Sequence, residues 1–120
     1  MSDGGITFFK TRNLEGLHQF YTRRMGCDLW LDQGKCRIYK RGTWMIGFIQ
    51  NQESIEAEGI LTLFLKDQQS VEGEYSKLVD LADNRPRLNV EYRIYQFFVK
   101  DPEGRVIEVQ SFEHPIDWIF

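Results

Sequence analysis

The chain has 120 residues, 42% of them hydrophobic and 28% charged, a composition that favours one folded domain and excludes extended disorder. A net charge of −3 provides no basic excess for nucleic-acid binding, and no apolar run reaches the roughly 18 residues of a membrane span. The first ten residues do not form a secretion signal, and the chain has two cysteines, so we expect a reducing, cytoplasmic location. The unusual figure is 14% aromatic residues, which need a core or a binding site to hold them.

The first half of the chain predicts a strand, a helix and three further strands. Residues Ile6–Thr11 are β-prone, Asn13 can cap a helix, and Gly26 can end it. Between those two positions, apolar residues recur at helical spacing: Leu14, Leu17, Tyr21 and Met25. The strands predicted after the helix are Asp28–Leu31, Cys36–Lys40 and Trp44–Gln50.

The second half repeats this order after a polar linker, Asn51–Gly59. A strand is predicted over Ile60–Leu65 and a helix over the apolar stripe from Val71 to Ala82, which Asn84-Arg85-Pro86 breaks. The remaining predicted strands are Leu88–Glu91, Tyr95–Lys100 and Val106–Phe112. Asp101-Pro102-Glu103-Gly104 has the residues of a type I turn and joins the last two strands as a hairpin.

The two halves align with an offset of 54 residues. Ile6 then falls on Ile60, Phe9 on Leu63, and Tyr21 on Tyr75. We therefore predict a single α+β domain, residues 1–120, made of two tandem βαβββ modules. The boundaries are residues 6–50 for module one, 51–59 for the linker, 60–112 for module two and 113–120 for an apolar tail. One face of each sheet is covered by its helix, and the other is free to curl around a central cup.

Two motifs resemble those of a known superfamily. The run from Phe98 to Glu108 matches the pattern F-x-x-D-P-x-G-x-x-I-E, and the first helix carries Leu14-Glu15, Phe20-Tyr21 and Met25-Gly26. They resemble the closing hairpin and the opening helix of the vicinal oxygen chelate superfamily, with Asn13 in place of the usual Asp. That superfamily includes glyoxalase I, extradiol dioxygenases and bleomycin-resistance proteins, and the resemblance implies its fold for residues 6–112.

The resemblance also implies where a metal would bind. Enzymes of the superfamily hold a divalent ion with His or Glu side chains from the first and last strands of each module. These positions fall here on Ile6, Ile46, Ile60 and Glu108. Only Glu108 can bind a cation, because an isoleucine offers no ligand atom. We therefore expect no metal site and no cofactor.

Strand alternation divides the side chains between the helix-covered core and the cup. It assigns Ile38, Met45 and Gly47 to the core and Phe8 and Ile46 to the cup. The predicted hairpin places Trp30 opposite Arg37, close enough for a cation–π contact. The predicted ligand-binding residues on the cup side are Trp30, Arg37, Tyr39, Trp44, Phe48, Phe64, Glu108 and Gln110. Alternatively, the cup is a second core filled by its own side chains.

Three functions follow from these observations. The first is a metal-free small-molecule-binding protein of the bleomycin-resistance type, with a partly aromatic ligand in the cup and Glu108 receiving a cationic or donor group. The alternative is a metal-dependent lyase, isomerase or dioxygenase with an atypical site, in which Glu108 acts with Gln50, Gln110 or His114. Glu108 is also the candidate catalytic acid or base. The third is a protein-interaction module whose cup is vestigial.

The C-terminal tail predicts an assembly. Residues 113–120 include Ile116, Trp118, Ile119 and Phe120, which is an unusually apolar end for a chain. Exposed apolar patches of this kind usually mark a contact. A homodimer is therefore expected, with the tail at or near its interface.

Overall fold

The computed structural model of the chain describes residues 2–117. Within them the elements follow the predicted order. The strands are β1 (Thr7–Thr11), β2 (Asp28–Asp32), β3 (Cys36–Arg41), β4 (Trp44–Gln50), β5 (Ile60–Leu65), β6 (Arg87–Asn89), β7 (Ile94–Lys100) and β8 (Val106–Phe112). The helices are α1 (Leu14–Gln19), which continues as a π-helical turn (Phe20–Arg24), and α2 (Gln68–Leu78). No helix in residues 2–117 is long and apolar enough to cross a membrane.

The chain divides into two compact units. The first unit contains the residues up to Glu58 together with Asp101–Gly104, and the second contains Gly59–Lys100 and the residues from Arg105 onward. The strand order is β1-β4-β3-β2 in the first sheet and β5-β8-β7-β6 in the second. In each sheet the first-listed pair is parallel and the other pairs are antiparallel. The α+β class and the tandem βαβββ layout are therefore confirmed.

Each of the two helices is capped at its N-terminus by a polar side chain. Asn13 Oδ1 accepts a hydrogen bond from the Gly16 amide at 2.9 Å, and Asp67 Oδ1 accepts one from the Ser70 amide at the same distance. The hydroxyl of Ser70 adds a second bond to Asp67 Oδ1, and these bonds hold the pKa of the Asp67 carboxyl below its ordinary value.

Helix α2 ends earlier than predicted. The apolar stripe predicted a helix as far as Ala82, but the regular helix ends at Leu78. The amides of Leu81 and Ala82 both donate to the Leu78 carbonyl, at 2.8 and 3.0 Å. Two donors on one carbonyl mark a tightening last turn, as is common at helix ends.

The end of the first helix contains a π-helical turn that the sequence does not predict. The Met25 amide donates to the Phe20 carbonyl at 3.1 Å, and the Cys27 amide donates to the Tyr21 carbonyl at 2.9 Å. Gly26 adopts a φ of +71°, as expected for a glycine that ends a helix. The Tyr21 side chain, which lies in this turn, is completely buried.

The hairpin turn between β7 and β8 belongs to the first unit. The Gly104 amide donates to the Asp101 carbonyl at 3.0 Å, which confirms the predicted tight turn. Asp101 Oδ2 accepts a hydrogen bond from the Tyr21 hydroxyl at 2.8 Å, and both residues are buried. Glu103 accepts bonds from the Thr11 hydroxyl at 2.5 Å and from the Arg12 amide at 3.0 Å. A buried hydrogen bond within the first unit thus joins Tyr21 of the opening helix to Asp101 of the turn.

Candidate functional site

In the first unit, one face of the sheet is covered by the helix; we call it the helix face and the opposite one the free face. The ring of Tyr21 lies 5.0 Å from that of Phe48 and 6.4 Å from that of Tyr39. The ring centroids of Phe9 and Phe48 lie 6.3 Å apart, and the two residues are partners in the β1–β4 register. These rings therefore form the core between α1 and the sheet.

This arrangement corrects the predicted faces of β3 and β4. The prediction placed Arg37, Tyr39, Trp44, Ile46 and Phe48 on the cup side, but the register with Phe9 and the contacts with Tyr21 assign their positions to the helix face. Side chains on a strand alternate, so a shift of one residue exchanges the two faces completely. Ile38, Met45 and Gly47, predicted in the helix-covered core, consequently belong to the free face.

Two of the predicted ligand-binding residues have partners on the helix face. Arg37 Nη1 lies 3.2 Å from Glu15 Oε2, and Arg37 Nε lies 3.8 Å from Asp32 Oδ2. The hydrogen bond to Glu15 raises the pKa of the Arg37 guanidinium and lowers that of the carboxyl. The Tyr39 hydroxyl lies 2.9 Å from His18 Nδ1, and burial raises the pKa of Tyr39.

The free face of the first sheet carries a cavity of about 590 Å³. Its floor combines two aromatic rings, Phe8 and Trp30, with the thioether of Met45. The other lining residues are Asp3, Gly4, Gly5, Ile6, Lys40 and Gly42. Known small-molecule sites are mostly apolar and enclose about 300–1,000 Å³, with a few polar groups to orient the ligand. This cavity has the size and the composition of such a site.

Gly47 allows the Phe8 ring to lie directly on the sheet. The two residues are partners in the β1–β4 register, and a Cβ added at Gly47 would lie 2.4 Å from Cδ1 and Cε1 of Phe8. No real Cβ tolerates that distance, so any other residue at this position displaces the ring. A glycine inside a strand commonly marks such a close approach, and here it sets the floor of the cavity.

Trp30 reaches the cavity through an irregularity in β2. Leu29 pairs with Tyr39 and Leu31 pairs with Ile38, so Trp30 is the extra residue of a β-bulge. The predicted pairing of Trp30 with Arg37 is therefore wrong, since Asp32 stands opposite Arg37. Bulges often redirect a side chain beside a site. The indole instead meets Lys40, whose Nζ lies 5.9 Å from the ring centroid.

In the second unit the predicted division of the sheet is confirmed. Phe97 contacts Tyr75 of α2 with ring centroids 5.5 Å apart, and its register partner Val109 is buried with it. The opposite face then carries Thr62, Phe64, Glu108 and Gln110, as the sequence predicts.

Glu108 is the centre of a polar network on that face. Its Oε1 accepts a hydrogen bond from the Thr62 hydroxyl at 2.8 Å, and its Oε2 accepts one from the Gln96 amide. The Gln96 oxygen accepts from Asn89 Nδ2 at 3.1 Å, so the network crosses all four strands. Gln110 is 7% exposed, and among the described residues its Oε1 has no hydrogen-bond partner. Phe64 packs against Phe112, with ring centroids 5.9 Å apart.

Comparison with solved structures identifies the architecture. An integron cassette protein from a Halifax Harbour sewage-outfall metagenome superposes with a TM-score of 0.78 at 17% identity, over 93% of this chain and 100% of that one. Lactoylglutathione lyase from Agrobacterium tumefaciens superposes with a TM-score of 0.74 at 19% identity, over 92% of this chain and 94% of that one. A glyoxalase/bleomycin resistance protein/dioxygenase from Alicyclobacillus acidocaldarius superposes with a TM-score of 0.76 at 14% identity, over 94% of this chain and 93% of that one. The chain has the glyoxalase/bleomycin-resistance/dioxygenase fold. The resemblance to the vicinal oxygen chelate superfamily is thereby confirmed at the level of the fold. No family model and no curated protein matches the sequence.

Strand register corrects one of the metal positions that the resemblance implies. Glu108 pairs with Thr62, and the residue equivalent to Thr62 in the first module is Phe8, whose partner is Gly47. The counterpart of Glu108 is therefore Gly47 and not Ile46, which is buried on the helix face. The Phe8 ring occupies the space above Gly47 that a ligating side chain would need.

The remaining residues at these positions do not fit a divalent ion. Ile6 and Ile60 have no ligand atoms, and both Glu108 oxygens already accept hydrogen bonds. In residues 2–117 no group of three or more His, Cys, Asp or Glu side chains is arranged to hold a metal. Of the partners considered for an atypical site, Gln50 bonds to the backbone of Arg12 and Leu14, and His114 Nδ1 lies 3.0 Å from the Pro115 carbonyl oxygen.

Of the eight predicted ligand-binding residues, Trp30 is the one that lines the cavity of the first unit. Phe64, Glu108 and Gln110 share the free face of the second sheet. The predictions missed Lys40 and Met45 and did not select Phe8, although alternation assigned Phe8 to the cup side. The glycine within the otherwise apolar strand β4 was the available signal for a close approach at this face.

Proposed function

We propose that this protein binds a small, partly aromatic molecule in the cavity on the free face of its first sheet. The observation that carries the proposal is the cavity itself, about 590 Å³ with Phe8, Trp30 and Met45 in its lining. Stacked or edge-on aromatic contacts, and contacts between a thioether and a ring, each favour a flat aromatic ligand. The metal-free part of the proposal is supported by Ile6, Ile60 and Gly47 at three positions where the resemblance implies ligands.

Calorimetric titration with a panel of bicyclic aromatic compounds tests this proposal. We expect micromolar to millimolar binding by some members, and we expect Phe8→Ala to weaken it about tenfold or more, because the ring supplies much of the contact. Ile49→Ala is the matched control: Ile49 lies on the same face, is 40% exposed against 43% for Phe8, and does not line the cavity. If no compound binds, or if both variants weaken binding equally, the proposal is wrong.

We also propose that the chain forms a homodimer through its C-terminal tail. Ile116 is half-buried, while Trp118, Ile119 and Phe120 lie outside the described residues. Each apolar side chain buried across an interface can contribute roughly 1.5–3 kcal/mol, and two-fold symmetry is the commonest closed arrangement. Removal of residues 113–120 should then weaken association in sedimentation velocity runs and leave the far-ultraviolet circular dichroism unchanged. Equal sedimentation of both chains would exclude the tail as the dimer contact.

A cytoplasmic location stays a prediction.

A further inference from the structure

Among the described residues that line the cavity, Lys40 is a cation held in a defined place. Lys40 lies in β3, which is hydrogen-bonded to β2 on one side and β4 on the other. Its ammonium lies over the Trp30 ring, 5.9 Å from the centroid, where a cation is attracted to the face of the indole. The bulge at Trp30 brings the ring and the charge together.

Within residues 2–117, the positive charge of Lys40 is also not neutralised by an ion pair. Among the described residues, no carboxylate forms an ion pair with Lys40, and its side chain has the indole as its partner. Arg37, on the same strand but on the helix face, is by contrast paired with both Glu15 and Asp32. A lysine that lines an apolar cavity and forms no ion pair is a suitable partner for an anionic group on a ligand.

Asp3 is the other charged residue that the described part of the chain contributes to the lining. It precedes Gly4 and Gly5 in a segment without helix or strand, whereas Lys40 is held in the middle of a sheet. A group fixed before binding loses less freedom when the ligand arrives, so it contributes more to selectivity. We therefore expect Lys40 to make the cavity select anionic ligands over cationic ones. Asp3 should weaken anion binding modestly by repulsion.

From this arrangement we infer that the ligand is an aromatic acid, with its ring against Phe8 and Trp30 and its anionic group at Lys40. The inference rests on the proposed function and adds the chemical class of the ligand. An aromatic carboxylate uses the apolar floor and the unpaired ammonium together.

Three probes of one shape and different charge test the inference: naphthalene-2-carboxylate, 2-naphthamide and 2-naphthylmethylammonium. In calorimetry at pH 7.5 and low salt, we expect the carboxylate to bind about tenfold more tightly than the other two, as for a charge-assisted hydrogen bond. Lys40→Met keeps the length of the side chain and should abolish this preference, so that the carboxylate and the amide bind the variant with equal affinity. Lys35→Met is the matched control, because it removes a positive charge from the same hairpin at a residue that does not line the cavity. Asp3→Asn should tighten binding of the carboxylate a few-fold.

Each other outcome has a definite meaning. If none of the three probes binds, the proposed function fails with the inference. If all three bind equally, or if Lys40→Met and Lys35→Met act alike, the inference is overturned and the proposed function stands. Preferential binding of the ammonium probe that Asp3→Asn removes would overturn it too, since Asp3 would then set the charge of the ligand.

Discussion

Replacing Tyr21 with phenylalanine is expected to lower the free energy of unfolding by roughly 1.5–3 kcal/mol, the range for a hydrogen bond to a charged group. The Tyr21 hydroxyl donates to Asp101 Oδ2 at 2.8 Å, and Tyr21 and Asp101 are 0% and 5% exposed. Loss of the hydroxyl leaves a buried carboxylate oxygen without this donor, whereas the ring contacts with Phe48 and Tyr39 remain. Urea unfolding followed by circular dichroism measures the change.

Tyr75→Phe provides the matched control. Tyr75 occupies the repeat position of Tyr21 and packs edge-on against Phe97. Its hydroxyl makes no hydrogen bond among the described residues, so its removal should change stability by less than about 0.5 kcal/mol. Equal losses in the two variants would show that the bond to Asp101 does not stabilise the first unit.

Gly47→Ala should weaken ligand binding in the cavity. The new methyl group would lie 2.4 Å from the Phe8 ring, and the ring, 43% exposed, can move outward into solvent. We expect the affinity for the bound aromatic probe to fall about tenfold or more, with a stability loss of about 1–3 kcal/mol for the added crowding. Calorimetry with the same probes, together with urea unfolding, measures both effects.

Gly73→Ala is the control for that substitution. A Cβ at Gly73 meets nothing within 4 Å, and the residue lies inside helix α2. Alanine should therefore preserve probe binding and raise stability by about 0.5–1 kcal/mol through helix propensity. Unchanged binding in Gly47→Ala would show that Phe8 does not form the floor of the ligand site.

The order of the elements was predictable because the two modules repeat it and because turn and cap residues mark the element boundaries. An offset of 54 residues aligned the two modules, and Asn13, Gly26 and the Asp101–Gly104 turn marked boundaries that the structure contains. The π-helical turn was not predictable, since its residues fit an ordinary amphipathic helix equally well.

The faces of the strands were predictable only where polar and apolar residues alternate. In β8, Glu108 and Gln110 alternate with Ile107 and Val109, and both faces were assigned correctly. In β4 the run from Trp44 to Ile49 is apolar on both sides apart from a glycine, so it contains no alternation to read. The correct assignment depends on the parallel register between β1 and β4, a long-range pairing that the local sequence does not specify.

The site was missed for the same reason. With β3 and β4 reversed, Met45 was assigned to the core, Lys40 was not selected, and the rings of Tyr39 and Phe48 were assigned to the site. In β2 the residue opposite Arg37 is Asp32 and not Trp30, and this register error of two residues gave Trp30 the wrong cationic partner.

Methyl NMR of protein labelled at its methionine methyl groups shows directly whether an aromatic acid binds in the cavity of the first unit. Met45 lines the cavity, and Met25, fully buried in the core of the same unit, serves as an internal reference in the same sample. On titration with naphthalene-2-carboxylate, we expect a saturable shift of the Met45 resonance, produced by the ring current of the bound probe, with the Met25 resonance unchanged. If the probe does not shift the Met45 resonance, or if it shifts the Met25 resonance as much as that of Met45, the ligand site is not this cavity.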